Sequence, residues 1–271
     1  MTGTPFRAAT NAAGAAMAAE ADGAHAIWYP GPGPGVATRP DASQVPVGVG
    51  VGLDATDTAD PLITASAALL VARRVRVGIL GWDFGGDAER AARAAGTLAD
   101  LAPGRVMLAL AGADASLVAL AVALRADLDL ELAVCGPTPG PATRNGWGWI
   151  SVGCSAESIA KVAGDAGVVG PIGIHLPVFV HQDGDLARRG ASRALVEGQE
   201  VEGQVVDGDG AVIGTGADLD AAIDAYVGAG VTRIVIDNRL PYAVPEALES
   251  SRAVIRASIR IARIRHRETQ T

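Results

Sequence analysis

Short apolar segments alternate with alanine-rich amphipathic segments along most of the chain. Seven of the apolar segments are bounded by turn residues and are apolar throughout, which is typical of parallel strands buried on both faces. They read AHAIWYP, RVRVGIL, RVMLALAG, LELAV, WGWISV, PIGIHLPVFV and VTRIVID. This alternation predicts βα units arranged around a parallel sheet.

Helical periodicity between the strands supports that interpretation. Asp60 stands where a helix cap is expected, with Pro61 in the first helical position. The segment 87–102 places Ala91, Ala95 and Leu98 on one stripe, and the segment 218–230 repeats that spacing. The predicted helices therefore pack one apolar side against the sheet. A β-hairpin is predicted at QVVDGDGAVI, residues 204–213.

The number and order of the strands favour a (β/α)8 TIM barrel over an open doubly wound sheet. A dinucleotide-binding sheet normally carries a glycine fingerprint at the start of a helix, whereas the GPGPG of this chain lies among prolines with no helix following. No linker divides the chain, so residues 1–271 are expected to form a single barrel domain. Only TPFRAAT and a helix precede AHAIWYP, so the barrel is either incomplete or takes VPVGVGVGL, residues 45–53, as a substituted first strand.

Composition narrows the class of protein. The 49% of hydrophobic residues are enough for a packed core, and the net charge of −8 argues against nucleic-acid binding. No apolar run is long enough to cross a membrane. Cys135 and Cys154 form no CxxC pair, which indicates reduced thiols and argues against a metal site. We therefore expect a cytoplasmic protein that binds a small-molecule substrate, with no nucleic-acid and no membrane partner.

The middle of the chain resembles a known enzyme family. DPLITASAALLVARRVRVGIL, followed by AERAARAAGTLADLAPGRVMLALAGAD, is similar to the second-to-fourth strand region of the luciferase-like monooxygenase superfamily. LELAVCGPTPGPATRNGWGWISV is similar to that family's fifth and sixth strands, and GTGADLDAAIDAYVGAGVTRIVID is similar to its last helix and strand. These segments occur in the family's order over about two thirds of the chain.

The resemblance implies a flavin- or deazaflavin-dependent oxidoreductase that performs hydride transfer or monooxygenation of a small organic substrate. The implied cofactor is coenzyme F420, the deazaflavin, or FMN, and the implied assembly is a homodimer through the barrel helices. The alternative is a catalytically degenerate barrel that binds a flavin-like ligand or serves as the non-catalytic subunit of a pair.

Ligands of such barrels bind at the carboxyl ends of the strands, which locates the expected pocket. Ala111, Gly112 and Ala113 follow one strand and leave room for a flat ring system. Asp114 comes next, and the resemblance implies that an acid there acts close to the reacting ring. The alternative, compatible with the first, is that Asp114 caps the helix ASLVALAVAL.

Two further strand ends belong to the same expected pocket. The resemblance implies a strained bulge behind the cofactor ring at Leu80, Gly81 and Trp82, where the alternative is an ordinary turn. It implies that Cys135 and Gly136 form a glycine turn facing the cofactor, where again a plain turn is the alternative.

The chain departs from the family where many relatives carry an acid and a histidine after the second strand, because it reads WYPGPGPG there. Among the histidines, His25 precedes its strand and His175 lies within an apolar run, so His181, which follows PVFV, is predicted as the acid or base. A solvated loop histidine is the alternative. The segment that usually roofs the substrate, between the fourth and fifth strands, is also short.

The last helix carries arginines near one face. They are Arg252, Arg256, Arg260, Arg263 and Arg267. A solvated helix face is the favoured interpretation, and a surface for an acidic partner or an anionic cofactor tail is the alternative.

Overall fold

The structure, a computed structural model, describes residues 5–30, 60–82, 87–111, 128–196 and 211–268. Its strands are β1 (Ala26–Pro30), β2 (Arg76–Trp82), β3 (Val106–Ala111), β4 (Leu130–Gly136), β5 (Gly148–Val152), β6 (Ile172–Val180), β7 (Val212–Gly214) and β8 (Arg233–Asn238). Its α-helices are α1 (Pro5–Ala21), α2 (Pro61–Val71), α3 (Ala88–Leu101), α4 (Ala156–Ala166), α5 (Gly184–Val196), α6 (Gly216–Gly228), α7 (Leu240–Ala243) and α8 (Leu248–Glu268).

All strand pairs are parallel, and the strands follow one another from β1 to β7 with β8 beside β6. The seven predicted strands are confirmed, and the expected barrel is confirmed as a curled parallel sheet with helices packed outside it, an incomplete TIM barrel. β1 and β8 are not paired with each other within the described residues. The predicted substitute strand, residues 45–53, lies outside the described residues.

The predicted cap of α2 is confirmed by its hydrogen bond, and α3 starts with a similar cap at Asp87. Asp60 Oδ1 accepts from the Leu62 backbone N–H at 2.8 Å, and Asp87 Oδ1 accepts from that of Arg90 at 2.9 Å. These carboxylates satisfy N–H groups that a first helical turn leaves without partners. The segment from Val212 to Gly214, predicted as one arm of a hairpin, is a short strand parallel to β6. The hairpin's predicted turn lies outside the described residues. No helix of the described residues is long and apolar enough to cross a membrane.

The outer face of the curled sheet packs against the helices, and the side chains of its inner face pack against one another. The outer side chains alternate with inner ones along each strand, as the period of two requires. The inner cluster consists of Trp28, Leu80, Met107, Ala109, Ala133, Cys135, Ile150 and Val235. Three of these residues, Ala109, Ala133 and Cys135, are small, and all three are buried.

Charged side chains cover the amino end of the inner face. Glu131 of β4 forms ion pairs with Arg76 of β2, at 2.8 Å, and with Arg233 of β8. Burial raises the pKa of Glu131, but the hydrogen bonds and charges of Arg233 and Arg76 outweigh it and hold that pKa below its ordinary value. This cluster joins three strands at the end of the sheet opposite the expected pocket.

The two ends of the described chain are tied together by arginines of α8. Arg252 Nη2 lies 2.8 Å from Asp22 Oδ2, in the connection between α1 and β1, and Arg256 Nε lies 3.4 Å from the same oxygen. Arg252 is buried. The favoured interpretation of these arginines as a solvated face is therefore wrong for Arg252, because its guanidinium is paired inside the molecule.

Candidate functional site

The carboxyl ends of β2, β3 and β4 bring several of the expected pocket residues together. Leu80 is fully buried and belongs to one inner cluster with Ala109 and Cys135. Leu80 pairs in register with Ala109, and Ala111, at the end of β3, pairs with Cys135. The half-buried Ala111 therefore stands at the edge of this cluster.

A bulge interrupts β2 where the resemblance implied one. Leu80 pairs with Ala109 and Trp82 pairs with Leu110, so Gly81 is an extra residue without its own partner on β3. Gly81 has φ +67°, a left-handed conformation that glycine adopts without the steric cost of a Cβ. Its backbone N–H opposes the rise in the pKa of the Cys135 thiol, so the bulge borders the end of β4.

The bulge also changes the direction of Trp82. In a regular strand residues 78, 80 and 82 would share one face, but the extra residue reverses the alternation. Trp82 accordingly packs in the outer cluster with the helix residues, and it is buried there. The Trp82 side chain thus lies outside the inner cluster, and the place of Trp82 among the cofactor-binding residues stays a prediction.

Cys135 and Gly136 form the end of β4. Burial raises the pKa of the Cys135 thiol to about 12, only partly opposed by the Gly81 N–H, so the thiol is protonated near neutral pH. This excludes a thiolate nucleophile there and leaves Cys135 as a wall of the inner face. The Gly136 carbonyl accepts from Trp149 Nε1 at 3.0 Å, which fixes the turn that follows β4.

A polar cluster that the sequence analysis missed lies on the inner face between β6 and β8. His175 Nε2 lies 3.3 Å from Asp237 Oδ2, and Arg239 Nε donates to the same oxygen at 2.5 Å. All three side chains are buried. Asp237 Oδ1 and His175 Nε2 have no hydrogen bond of good geometry within the part of the chain that the structure describes.

The ionised form of Asp237 is favoured by its neighbours. Burial raises the pKa of this carboxyl, but the Arg239 charge and the contact with His175 outweigh burial and lower the pKa below its ordinary value. A buried carboxylate with one occupied and one unoccupied oxygen is uncommon, because buried polar atoms are nearly always hydrogen-bonded.

The sequence pattern of β6 contains the one local indication of this cluster. His175 interrupts an apolar strand in which the inner positions are otherwise filled by nonpolar residues, and Asp237 occupies an inner position near the end of β8. In the sequence His175 lies within an apolar run, which gives no indication of a polar partner. The pairing of β6 with β8, which no local pattern shows, is what brings the two side chains together.

His181 lies just beyond β6, with both ring nitrogens in hydrogen bonds. Its Nδ1 accepts from the Asp183 backbone N–H at 3.0 Å, and its Nε2 lies 2.8 Å from Ser250 Oγ. Since Nδ1 accepts, Nε2 carries the proton and donates to Ser250. These bonds join the start of α5 to α8, and the role of His181 as acid or base stays a prediction.

Gly112 and Asp114 lie outside the described residues, so their expected places at the pocket stay predictions. Within residues 5–30, 60–82, 87–111, 128–196 and 211–268, no group of three or more His, Cys, Asp and Glu side chains is arranged to hold a metal ion.

Comparison with solved structures identifies the same fold in flavin and deazaflavin enzymes. The chain matches apo-MsnO8 with a TM-score of 0.69 and 14% identity, over 95% of this chain and 94% of that one. It matches the FMN complex of the oxygenating constituent of 3,6-diketocamphane monooxygenase, from a plasmid of Pseudomonas putida, with a TM-score of 0.62 and 13% identity over 93% and 92%. It matches the coenzyme F420 dependent tetrahydromethanopterin reductase of Methanopyrus kandleri with a TM-score of 0.57 and 10% identity over 92% and 95%.

No protein-family model matches the chain, and no curated protein matches its sequence. The fold that the resemblance implies is therefore shared with these proteins.

Proposed function

We infer that this chain is a member of the luciferase-like monooxygenase superfamily, and we propose that it is an oxidoreductase that uses FMN or coenzyme F420. The support is twofold: the family's segments occur in order along the sequence, and proteins named for FMN or F420 share the fold over nearly their whole length. The proposed reaction is hydride transfer to or from the cofactor, or monooxygenation, with a small organic substrate.

The glycine bulge of β2, joined to the end of β4, is the observation that carries the proposal. Leu80 and Ala109 are buried side by side on the inner face, and the small, half-buried Ala111 stands at its carboxyl edge. These residues fit a planar tricyclic ring, since small side chains at strand ends let a ring approach the backbone. We propose that the ring is held by Leu80, Gly81 and Cys135 together with Gly112 and Gly136.

The cofactor, when bound, supplies the hydride or oxygen chemistry, and the protein supplies position and electrostatics. Asp114 is proposed to act beside the ring or to cap the following helix. His181 is proposed as an acid or base that must first release the Asp183 N–H or the Ser250 hydroxyl. Because both ring nitrogens are hydrogen-bonded, one of these bonds must break before His181 can transfer a proton.

A second candidate function is a degenerate barrel that binds a flavin-like ligand without turnover, or that serves as a non-catalytic subunit. The occupied ring nitrogens of His181 and the protonated Cys135 thiol favour it, because both remove reactive groups from the strand ends.

We also propose a homodimer through α1 and α2. Met17 and Leu70 are large apolar side chains exposed to 54% and 70%, and Ile63 is exposed to 43%. Apolar exposure on two adjacent helices is typical of an interface. Light scattering gives the oligomeric state of the wild type and of Leu70→Lys, and we expect a dimer for the wild type and a monomer for the variant. A wild type that is already a monomer excludes this surface as a dimer interface. A cytoplasmic location is proposed from the two free thiols.

The experiment that tests the function is a titration of the purified protein with FMN and, separately, with F420, followed by absorbance and fluorescence. We expect saturable micromolar binding of one of them. Ala111→Phe should abolish that binding, because the ring of phenylalanine fills the space in front of Leu80, whereas Val227→Phe, at a position 52% exposed on α6, should leave it unchanged. No binding of either cofactor to the folded wild type contradicts the proposal.

A further inference from the structure

We propose that His175 and Asp237 form a binding site for the hydroxyl group of a neutral substrate, with Arg239 as the residue that positions Asp237. The site lies on the inner face of the sheet, between β6 and β8. This inference rests on the proposed function for its biological meaning, because a hydroxyl compound bound there is the proposed substrate.

Two buried polar atoms with incomplete hydrogen bonding are the first step. Asp237 is fully buried and its Oδ1 has no partner among the described residues, while the Nε2 of the buried His175 lies 3.3 Å from Asp237 Oδ2 without a hydrogen bond of good geometry. Leaving such atoms unsatisfied is unfavourable, and one ligand group that both donates and accepts would satisfy both.

The position of the pair on the sheet is the second step. His175 pairs in register with Val152 of β5 and Val235 of β8, which pack in the inner cluster that contains Leu80 and Cys135. Asp237 stands opposite Pro177, nearer the carboxyl end. The unpaired atoms therefore belong to the same inner face as the proposed cofactor wall, on the opposite strands of the sheet.

The chemistry of the atoms selects the ligand. A carboxylate oxygen only accepts, so Asp237 Oδ1 requires a donor, and the imidazole of His175 supplies the complementary partner on the other side. An alcohol O–H meets both demands with one oxygen. The single charge of Asp237 is balanced by Arg239, so an anionic ligand would face repulsion from the carboxylate without an unpaired cation to offset it.

The test is an NMR titration of the cofactor-free full chain, labelled with 15N at histidine, with cyclohexanol as the probe. The chain has four histidines, and His175→Gln and His181→Gln variants assign the two signals. We expect the His175 ring signals to shift saturably, while those of His181, whose nitrogens are already bonded, stay constant.

Two matched ligands and one variant test whether binding requires the hydroxyl group and the Asp237 carboxylate. Cyclohexyl methyl ether lacks the O–H donor and cyclohexanecarboxylate carries a charge, so each should bind about tenfold more weakly than cyclohexanol. Asp237→Asn should weaken cyclohexanol binding by a similar factor. If that variant does not fold, the comparison of the alcohol, the ether and the carboxylate on the wild-type protein still tests whether the site requires a neutral hydroxyl group.

Constant His175 signals, equal shifts at His175 and His181, or equal binding of the ether would overturn the proposal. Because the titration contains no cofactor, its failure is separate from that of the proposed function. If cyclohexanol binds but neither FMN nor F420 does, the hydroxyl site is supported and the proposed oxidoreductase function is contradicted. If a cofactor binds but the His175 signals stay constant, the proposed function is supported and the hydroxyl site is contradicted.

Discussion

Gly78, in the middle of β2, is the position where adding one methyl group most directly tests the packing of the inner face. A Cβ added there would lie 2.2 Å from Trp28 Cε3 and 2.5 Å from Cδ2. Ordinary carbon contacts lie near 3.5 Å, so the indole must move by about 1.3 Å. Trp28 is 4% exposed and surrounded by the inner cluster, which leaves it little room to move.

We therefore expect Gly78→Ala to lower the free energy of unfolding by about 3 kcal/mol, the upper part of the usual range for overpacking. For a chain of this size that corresponds to a Tm about 6 to 12 °C lower. Urea unfolding followed by circular dichroism, together with a thermal scan, measures both.

Two companion variants make this prediction specific to the contact with the indole. Gly164→Ala, in α4, introduces the same methyl group where no atom lies within 4 Å, and it should raise stability by about 0.5 to 1 kcal/mol. In a Trp28→Leu background, Gly78→Ala should cost about 2 kcal/mol less than in the wild type, since the clashing ring atoms are gone. Equal effects of the two glycine substitutions, or no coupling with Trp28, would refute the assignment of Trp28 to the inner face.

Three further predictions concern buried or paired polar groups. Tyr29→Phe removes the hydroxyl that donates at 2.8 Å to a carbonyl of α1, and should lower the unfolding free energy by about 1 kcal/mol in urea titrations. The pKa of Glu131 is lowered from 4.5, so its ion pairs stabilise the fold above that pH and lose this contribution as the pH falls through the lower folded-state pKa. Glu131→Gln should accordingly be less stable than the wild type at pH 7, with the Tm difference shrinking on acidification; a difference independent of pH would contradict this. Asp237→Asn leaves the Arg239 guanidinium buried without its carboxylate and should cost about 3 to 5 kcal/mol, part of which Arg239→Met in the same chain should restore.

The sequence predicts those parts of the fold that depend on local pattern. Apolar segments bounded by turn residues predict the seven strands, and Asp60 predicts the start of α2, because a cap satisfies N–H groups within its own first turn. The order of the strands then followed from βα alternation. Leu80 and Cys135 were placed at one end of the sheet by the same reasoning.

The remaining features depend on contacts between distant segments. The direction of Trp82 depends on one extra residue in the pairing of β2 with β3, which cannot be seen in the composition of β2 alone. His175 and Asp237 meet because β6 pairs with β8. Arg252 is buried because α8 returns to Asp22, 230 positions earlier in the chain. In each case periodicity identified the element correctly but not its neighbour.

The most direct test of the central claim is a crystal structure of the protein saturated with whichever of FMN or F420 it binds. The proposed function predicts density for the tricyclic ring against Leu80 and Gly81, with Cys135 on the same wall. Density for the ring at the opposite end of the sheet, beside Glu131, or among the outer helices would contradict it.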